Sequence, residues 1–167
     1  MGVRSRVATL AMFGGDDATI AAASQFKERK HAMTDKASII PEKYLDLLQT
    51  NALAHIATIG PKGEPQVNPV WFGFDGTHLK FSQTTGRQKY KNLRDEPKIA
   101  VSIVDPTNPF RYLEVRGRVA RIDPDPDYAF INEMTKKYIG LDEYPNHQPG
   151  DVRVVIVVEP EHTTQMG

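Results

Sequence analysis

Residues 65 to 94 read PQVNPVWFGF DGTHLKFSQT TGRQKYKNLR. Side chains alternate along a strand, so Pro65–Phe74 puts Val67, Pro69, Trp71 and Gly73 on one face. Asn68, Val70, Phe72 and Phe74 fall on the other. Asp75-Gly76 is a dipeptide that closes two-residue hairpins, and His78–Ser82 returns as the next strand. Gly86–Arg94 then breaks the period of two. Tyr90 and Leu93 are its apolar positions, three apart, and Asp95-Glu96-Pro97 ends what reads as a short basic helix. Strand, tight turn, strand is the pattern of an antiparallel meander.

Working outward gives more of the same. Leu53–Ile59 is an apolar strand, separated from Pro65 by the turn chemistry of Gly60-Pro61-Lys62-Gly63. Before it, Pro41 suits a first helical turn, and Tyr44, Leu45, Leu47 and Leu48 make one apolar face of a helix that stops at Asn51. Downstream, Lys98–Val104 is a strand with Ile99, Val101 and Ile103 on one side. Asp105–Pro109 carries two prolines and reads as a loop. Tyr112–Ile122 is a long strand in which Leu113, Val115 and Val119 alternate with charged residues. Gly117 marks a bend or bulge in its middle. Pro124-Asp125-Pro126 opens a helix that reaches Tyr138, with Phe130, Met134 and Lys137 at spacings of four and three. Gly140–Gly150 is a loop. Val152–Val158 is a nearly unbroken apolar strand, as expected for one buried on both faces. About six mostly antiparallel strands with short helices between them describe a mainly β (α+β) domain. Closing or partly closing the sheet into a barrel removes exposed edges.

Composition bounds the function. At 167 residues the chain suits one core. Lys+Arg and Asp+Glu both number 21, so the formal net charge is zero and no global field draws the chain to nucleic acid or an anionic membrane. The absence of cysteine removes thiol catalysis, disulfides and cysteine metal sites, and agrees with a cytoplasmic location. No apolar run reaches the ~18 residues of a membrane span. Val7–Phe13 is apolar and follows Arg4 and Arg6, but Gly14-Gly15-Asp16-Asp17 rather than a small-residue cleavage site comes next. Ala18–Lys30 has the pattern of one amphipathic helix with a basic end. Residues 1–38 are expected to be a poorly ordered extension, with the domain occupying 39–167. The competing expectation is an ordered helix docked on the domain.

Three stretches carry chemistry. In the first, Phe81–Leu93, a strand ends in Ser82, Gln83, Thr84 and Thr85, Gly86 turns the chain, and a helix starts with Arg87, Gln88 and Lys89. Cations oppose the positive end of a helix dipole. Their placement there makes sense if an anion sits between them, held by free N–H groups, a guanidinium fork and an ammonium. A solvated basic helix face is the competing reading, of about equal weight. In the second, Gly63–Phe72, Pro65 and Pro69 lack ladder donors, which points to a strand with a free edge or a ligand beside it. An edge strand with a buried Trp71 explains the same residues. In the third, Asn108–Gly117, Phe110 or Tyr112 offers a wall for a flat ligand, while Leu113 and Val115 read as core. His31, His55, His78, His147 and His162 have no ligand spacing, so no metal site is expected. No nucleophile or dinucleotide motif occurs, so no catalytic side chain is assigned and a cofactor is expected to carry any chemistry.

Taken in order, these stretches resemble the pyridoxamine-phosphate-oxidase-like split β-barrel superfamily, over about Ile39 to Val158. Ala57-Thr58-Ile59, Gly63–Trp71, Arg87–Pro97 and Tyr112–Val119 are similar to the B type of its deazaflavin (coenzyme F420)-dependent oxidoreductase branch. The resemblance implies a split β-barrel of the FMN-binding-like kind, a homodimer with two cofactor sites at the subunit interface, and hydride transfer from reduced F420. The acceptor would be an electron-poor alkene, imine or quinone-like small molecule. It implies that Arg87 and Lys89 hold the cofactor phosphate with Ser82, Gln83, Thr84, Thr85 and Gln88. Gln66, Val67, Asn68 and Pro69 would run beside the ring system, and Tyr112 would approach from the second subunit. Lys91 and Arg94 would lie near the polyglutamate tail. The alternatives are an FMN-dependent oxidase or reductase of the same fold, and a flavin, deazaflavin or haem carrier without turnover, for which His55 and His78 are the candidate axial ligands. A third is a barrel binding module with no cofactor. Substrate choice is expected to rest on Asp105–Arg111 and Gly140–Gly150.

Overall fold

The computed structural model describes residues 39–167. The expectations for residues 1–38 lie outside the described residues. One sheet of seven strands holds the domain together: β1 (Ala54–Ile59), β2 (Pro65–Val70), β3 (Gly73–Phe74), β4 (Leu79–Thr84), β5 (Lys98–Asp105), β6 (Asn108–Pro124) and β7 (Arg153–Met166). Two helices interrupt them, α1 (Gln88–Asp95) and α2 (Ala129–Ile139). The order across the sheet is β2-β1-β5-β6-β7-β4-β3, every pairing antiparallel. The two edge strands, β2 and β3, are neighbours in sequence, joined only by Trp71-Phe72. The sheet therefore curls until its edges approach, which is the split barrel that the pattern predicts.

Pro65 and Pro69 sit opposite Ile59 and His55 on an edge strand that pairs only with β1. Their missing N–H groups face away from any ladder, as the free-edge reading requires. Asp75 builds the next turn. Its Oδ1 accepts the N–H groups of Thr77 (3.0 Å) and His78 (2.7 Å), and Lys80 Nζ lies 2.8 Å from Oδ2. Burial pushes this carboxyl up, but Lys80 and the two N–H groups outweigh it and hold it at about 2.

The core runs through the barrel: Ile56, Phe81, Val101, Ile103, Leu113, Val115 and Ile156 are buried from five strands. From Arg153 to Val158 every residue of β7 is buried, on both faces, as its apolar run predicts.

Four expectations are corrected. Residues 41–51 form two 3-10 turns, Glu42–Tyr44 and Leu47–Gln49, rather than a helix. Tyr44, Leu47 and Leu48 are nonetheless fully buried, because a spacing of three serves either helix type. Asp105–Pro109 is not a separate loop. It is the tight turn of the β5–β6 hairpin, and Asn108 and Pro109 already belong to β6. Pro124 closes β6 instead of opening α2. Asp125 reaches forward to accept the N–H groups of Phe130 (3.2 Å) and Ile131 (3.4 Å), with Tyr128 in the left-handed region at φ 56°. Finally, β7 continues past Val158 to Met166 by pairing its polar end with Tyr112–Arg116 of β6.

Candidate functional site

A cavity of about 720 Å³ opens where the edges of the sheet approach. Sequence-predicted residues meet there from three elements. β2 contributes Gln66, Asn68 and Pro69, β4 contributes Ser82, Gln83 and Thr84, and the start of α1 contributes Arg87, Gln88 and Lys89. Val67, Thr85 and Tyr112 do not line it. Val67 is 65% exposed and lies between Gln66 and Asn68 on the alternate face of β2. Thr85 donates its N–H to Val152 O at 3.0 Å, and Tyr112 lies within the β5–β6–β7 ladders. Lys91 and Arg94 also point elsewhere; Arg94 pairs with Asp95 at 2.8 Å on the exposed helix face.

The N-terminus of α1 has the features of an anion site. Arg87 occupies its N-cap position and makes no capping side-chain bond, and the N–H groups of Gln88 and Lys89 have no acceptor among the described residues. Lys89 is only 4% exposed. Its Nζ stands 5.6 Å from the Phe81 ring centroid, and no described carboxylate pairs with it. Burial, and secondarily the charge of Arg87, push its ammonium down to about 8. Two cations that repel each other beside unsatisfied N–H groups form an arrangement that an anion would relieve.

Behind them a polar chain orients the β2 side. Gln88 Nε2 donates to Asn92 Oδ1 (2.8 Å), and Asn92 Nδ2 donates to Thr58 Oγ1 (3.0 Å) and Gln66 Oε1 (3.3 Å). Because the Gln66 oxygen is engaged, its amide NH₂ is the end left for the cavity. Asn92 and Thr58 are 3% and 1% exposed, too buried for water to replace a lost partner. Asn92→Leu is therefore expected to reduce stability by ~1–3 kcal/mol, the usual loss when a buried polar group is orphaned. It should also weaken ligand binding by freeing Gln66. Urea denaturation and a ligand titration on the same variant check both effects.

The cavity's other wall includes residues that the pattern did not single out as site residues. Trp71 stacks on Tyr138 (5.2 Å between centroids, 10° between planes) and meets Tyr144 edge-on at 6.1 Å. Tyr138 pins this corner. Its hydroxyl donates to Ala52 O at 2.7 Å and accepts the Phe72 N–H at 3.2 Å, while burial raises its pKa and keeps it a donor. Trp71 is half-buried and open to the cavity rather than part of the core. The 140–150 segment contributes Tyr144, Asn146 and Gln148 to the lining. None of residues 105–111 lines the cavity of the single chain. Arg153 also lines the cavity. It lies opposite Thr84 on β7, and its signal was a lone charge in an apolar run. His55 is exposed on β1 and His78 sits in the Asp75 turn, so neither faces the cavity.

The pyridoxamine 5'-phosphate oxidase family model matches residues 40–167, nearly the whole described region. The chain belongs to that family. It is also similar to a solved structure described as an F420 reductase, at 46% identity over 75% of this chain and 98% of that one, with a TM-score of 0.68. Family and neighbour together support a flavin- or deazaflavin-type oxidoreductase. More distant structures share the fold alone. A conserved hypothetical protein, Rv2991 of Mycobacterium tuberculosis, is 21% identical over 76% of this chain and 84% of its own, with a TM-score of 0.61. A putative pyridoxamine 5'-phosphate oxidase of Listeria innocua is 20% identical over 74% and 95%, with a TM-score of 0.58. No described helix is long and apolar enough to cross a membrane.

Proposed function

We propose that this chain is an F420-dependent reductase that passes hydride to an electron-poor small molecule, an alkene, imine or quinone-like acceptor. The observation that carries the reading is the pair of unpaired cations, Arg87 and Lys89, beside free N–H groups at the α1 end of the cavity. That donor set fits a cofactor phosphate. Thr84 adds a hydroxyl, and the Gln66 amide and the proline-bearing edge of β2 suit the polar rim of a flat heterocycle. The similarity to an F420 reductase favours the deazaflavin over FMN.

When bound, F420 would supply two-electron hydride chemistry; the chain's own residues bind, orient and exclude water. Trp71, backed by Tyr138, and Tyr144 provide the apolar wall against which an acceptor is held. A homodimer with Tyr112 supplied by the partner belongs to the same reading. Large apolar side chains left exposed in the single chain, Val67, Phe110 and Val152, are what a second copy would cover.

Side-by-side titration with F420 and FMN tests the proposal. F420 is expected to bind at least tenfold more tightly, and the loaded protein to oxidise reduced F420 in the presence of a quinone. Binding of FMN alone would move the chain to the flavin branch, and binding of neither would remove the cofactor reading.

A further inference from the structure

Arg153 has no role in the phosphate cradle, yet it is only 9% exposed and lines the same cavity. A buried guanidinium normally faces a carboxylate. This one has none among the described residues. Its Nη1 donates to the neutral Ser82 hydroxyl at 3.2 Å, its Cζ lies 4.6 Å from the Tyr144 ring centroid, and its Nε is buried without a partner. Asp151, the cavity's carboxylate, accepts the Gln148 N–H at 3.1 Å and makes no ion pair with Arg153.

Strand geometry separates this charge from the first two. Ser82 and Phe81 are consecutive on β4 and point to opposite faces. The guanidinium is held by Ser82, whereas the Lys89 ammonium is held over Phe81. Three cations thus line the cavity against one carboxylate, in two places. A phosphate at Arg87 and Lys89 leaves Arg153 uncompensated. Tyr144 packs against the guanidinium, and Ser82 takes one of its N–H donors. The remaining in-plane donors suit a planar two-oxygen acceptor.

We infer that Arg153 forms a second anion subsite, and that it takes the carboxylate of the hydride acceptor. The inference rests on the proposed function for the word acceptor, but the subsite itself does not need the cofactor. With the carboxylate anchored at Arg153, the rest of the substrate lies along Tyr144 and Trp71. Substrate choice is then set by β7 and the 140–150 loop rather than by the phosphate cradle.

The test uses the full chain, Arg153→Met and Arg153→Lys. The probes are a 1,4-naphthoquinone with a propionate side chain and its methyl ester. Quenching of Trp71, the single tryptophan of the chain, reads their binding without cofactor, and F420 is titrated separately. The wild type is expected to bind the acid at least tenfold more tightly than the ester. Arg153→Met should make the two equal, Arg153→Lys should restore part of the preference, and F420 affinity should stay within about twofold in all three proteins. Equal binding of acid and ester by the wild type overturns the subsite. So does a loss of F420 affinity in Arg153→Met as large as that of a cradle variant, because the guanidinium would then serve the cofactor. Failure of the wild type to bind F420, with the acid preference intact, removes the cofactor reading and leaves the subsite standing.

Discussion

Lys89→Met is expected to weaken F420 binding while making the ligand-free protein more stable. The methionine keeps an apolar stem against Phe81 and removes an ammonium that is buried, unpaired and repelled by Arg87. Lost attraction to a phosphate should reduce affinity by ~1–3 kcal/mol, or about 5- to 150-fold, the range of a charge-assisted hydrogen bond. Arg87→Gln should lose a similar amount. The double variant should lose at least about a hundredfold, without strict additivity, because both cations act on one anion. F420 fluorescence titration and thermal melts of the same samples check the two signs together. Unchanged affinity in both single variants would sink the phosphate assignment.

The same lysine predicts opposing pH trends. Its ammonium titrates at about 8 in the fold, against an ordinary 10.5. Between those values the unfolded chain holds more protons than the native one, so the stability of the ligand-free protein rises with pH across that window. An anion needs the protonated form. Affinity is therefore full below about 8 and falls as pH rises above it. Lys89→Met should flatten both trends, which separates this group from other titrations.

Local chemistry accounts for what was legible in the sequence. Asp75-Gly76 specifies a turn within four residues, the prolines of β2 demand an edge, and the Thr84–Lys89 run announces the start of a basic helix. The strands of the core show through because alternation is a local signal. What stayed hidden depends on register between distant segments. Arg153 becomes a cavity residue only because β7 pairs with β4 at Thr84. Trp71 becomes a wall only because Tyr138 and Tyr144, from beyond residue 130, close on it. The polar end of β7 has no apolar run of its own, and its strand exists through its ladder with β6. Sequence alternation cannot report a partner that lies far along the chain.

Gly117 joins the local and the distant, and its replacement should give the largest loss of stability. β6 serves two ladders at once, to β5 and to β7, and the pairing with β7 slips between Arg116 and Gly117 and again between Val119 and Arg121. Between the first pair, Arg116 faces His162 and Gly117 faces Pro160, so Glu161 is the extra residue of a bulge. The bulge brings the Glu159 carbonyl against Gly117, where any Cβ would collide with it. The colliding atom is backbone of a strand paired to β6, so no side chain can rotate away. Gly117→Ala is expected to lower the urea midpoint by the equivalent of ~1–3 kcal/mol with little change in slope, and Gly117→Val by more. Arg118→Ala, one residue on, removes only exposed ion pairs to Glu159 and Glu161 and should move the midpoint by less than about 1 kcal/mol. If Gly117→Ala and Arg118→Ala unfold at the same urea concentration as the wild type, the close approach of β6 and β7 is not what shapes the barrel. If only the glycine variant falls, the bend that curls the sheet toward its own edge, and so opens the cavity between β2 and β4, depends on the absence of one methyl group.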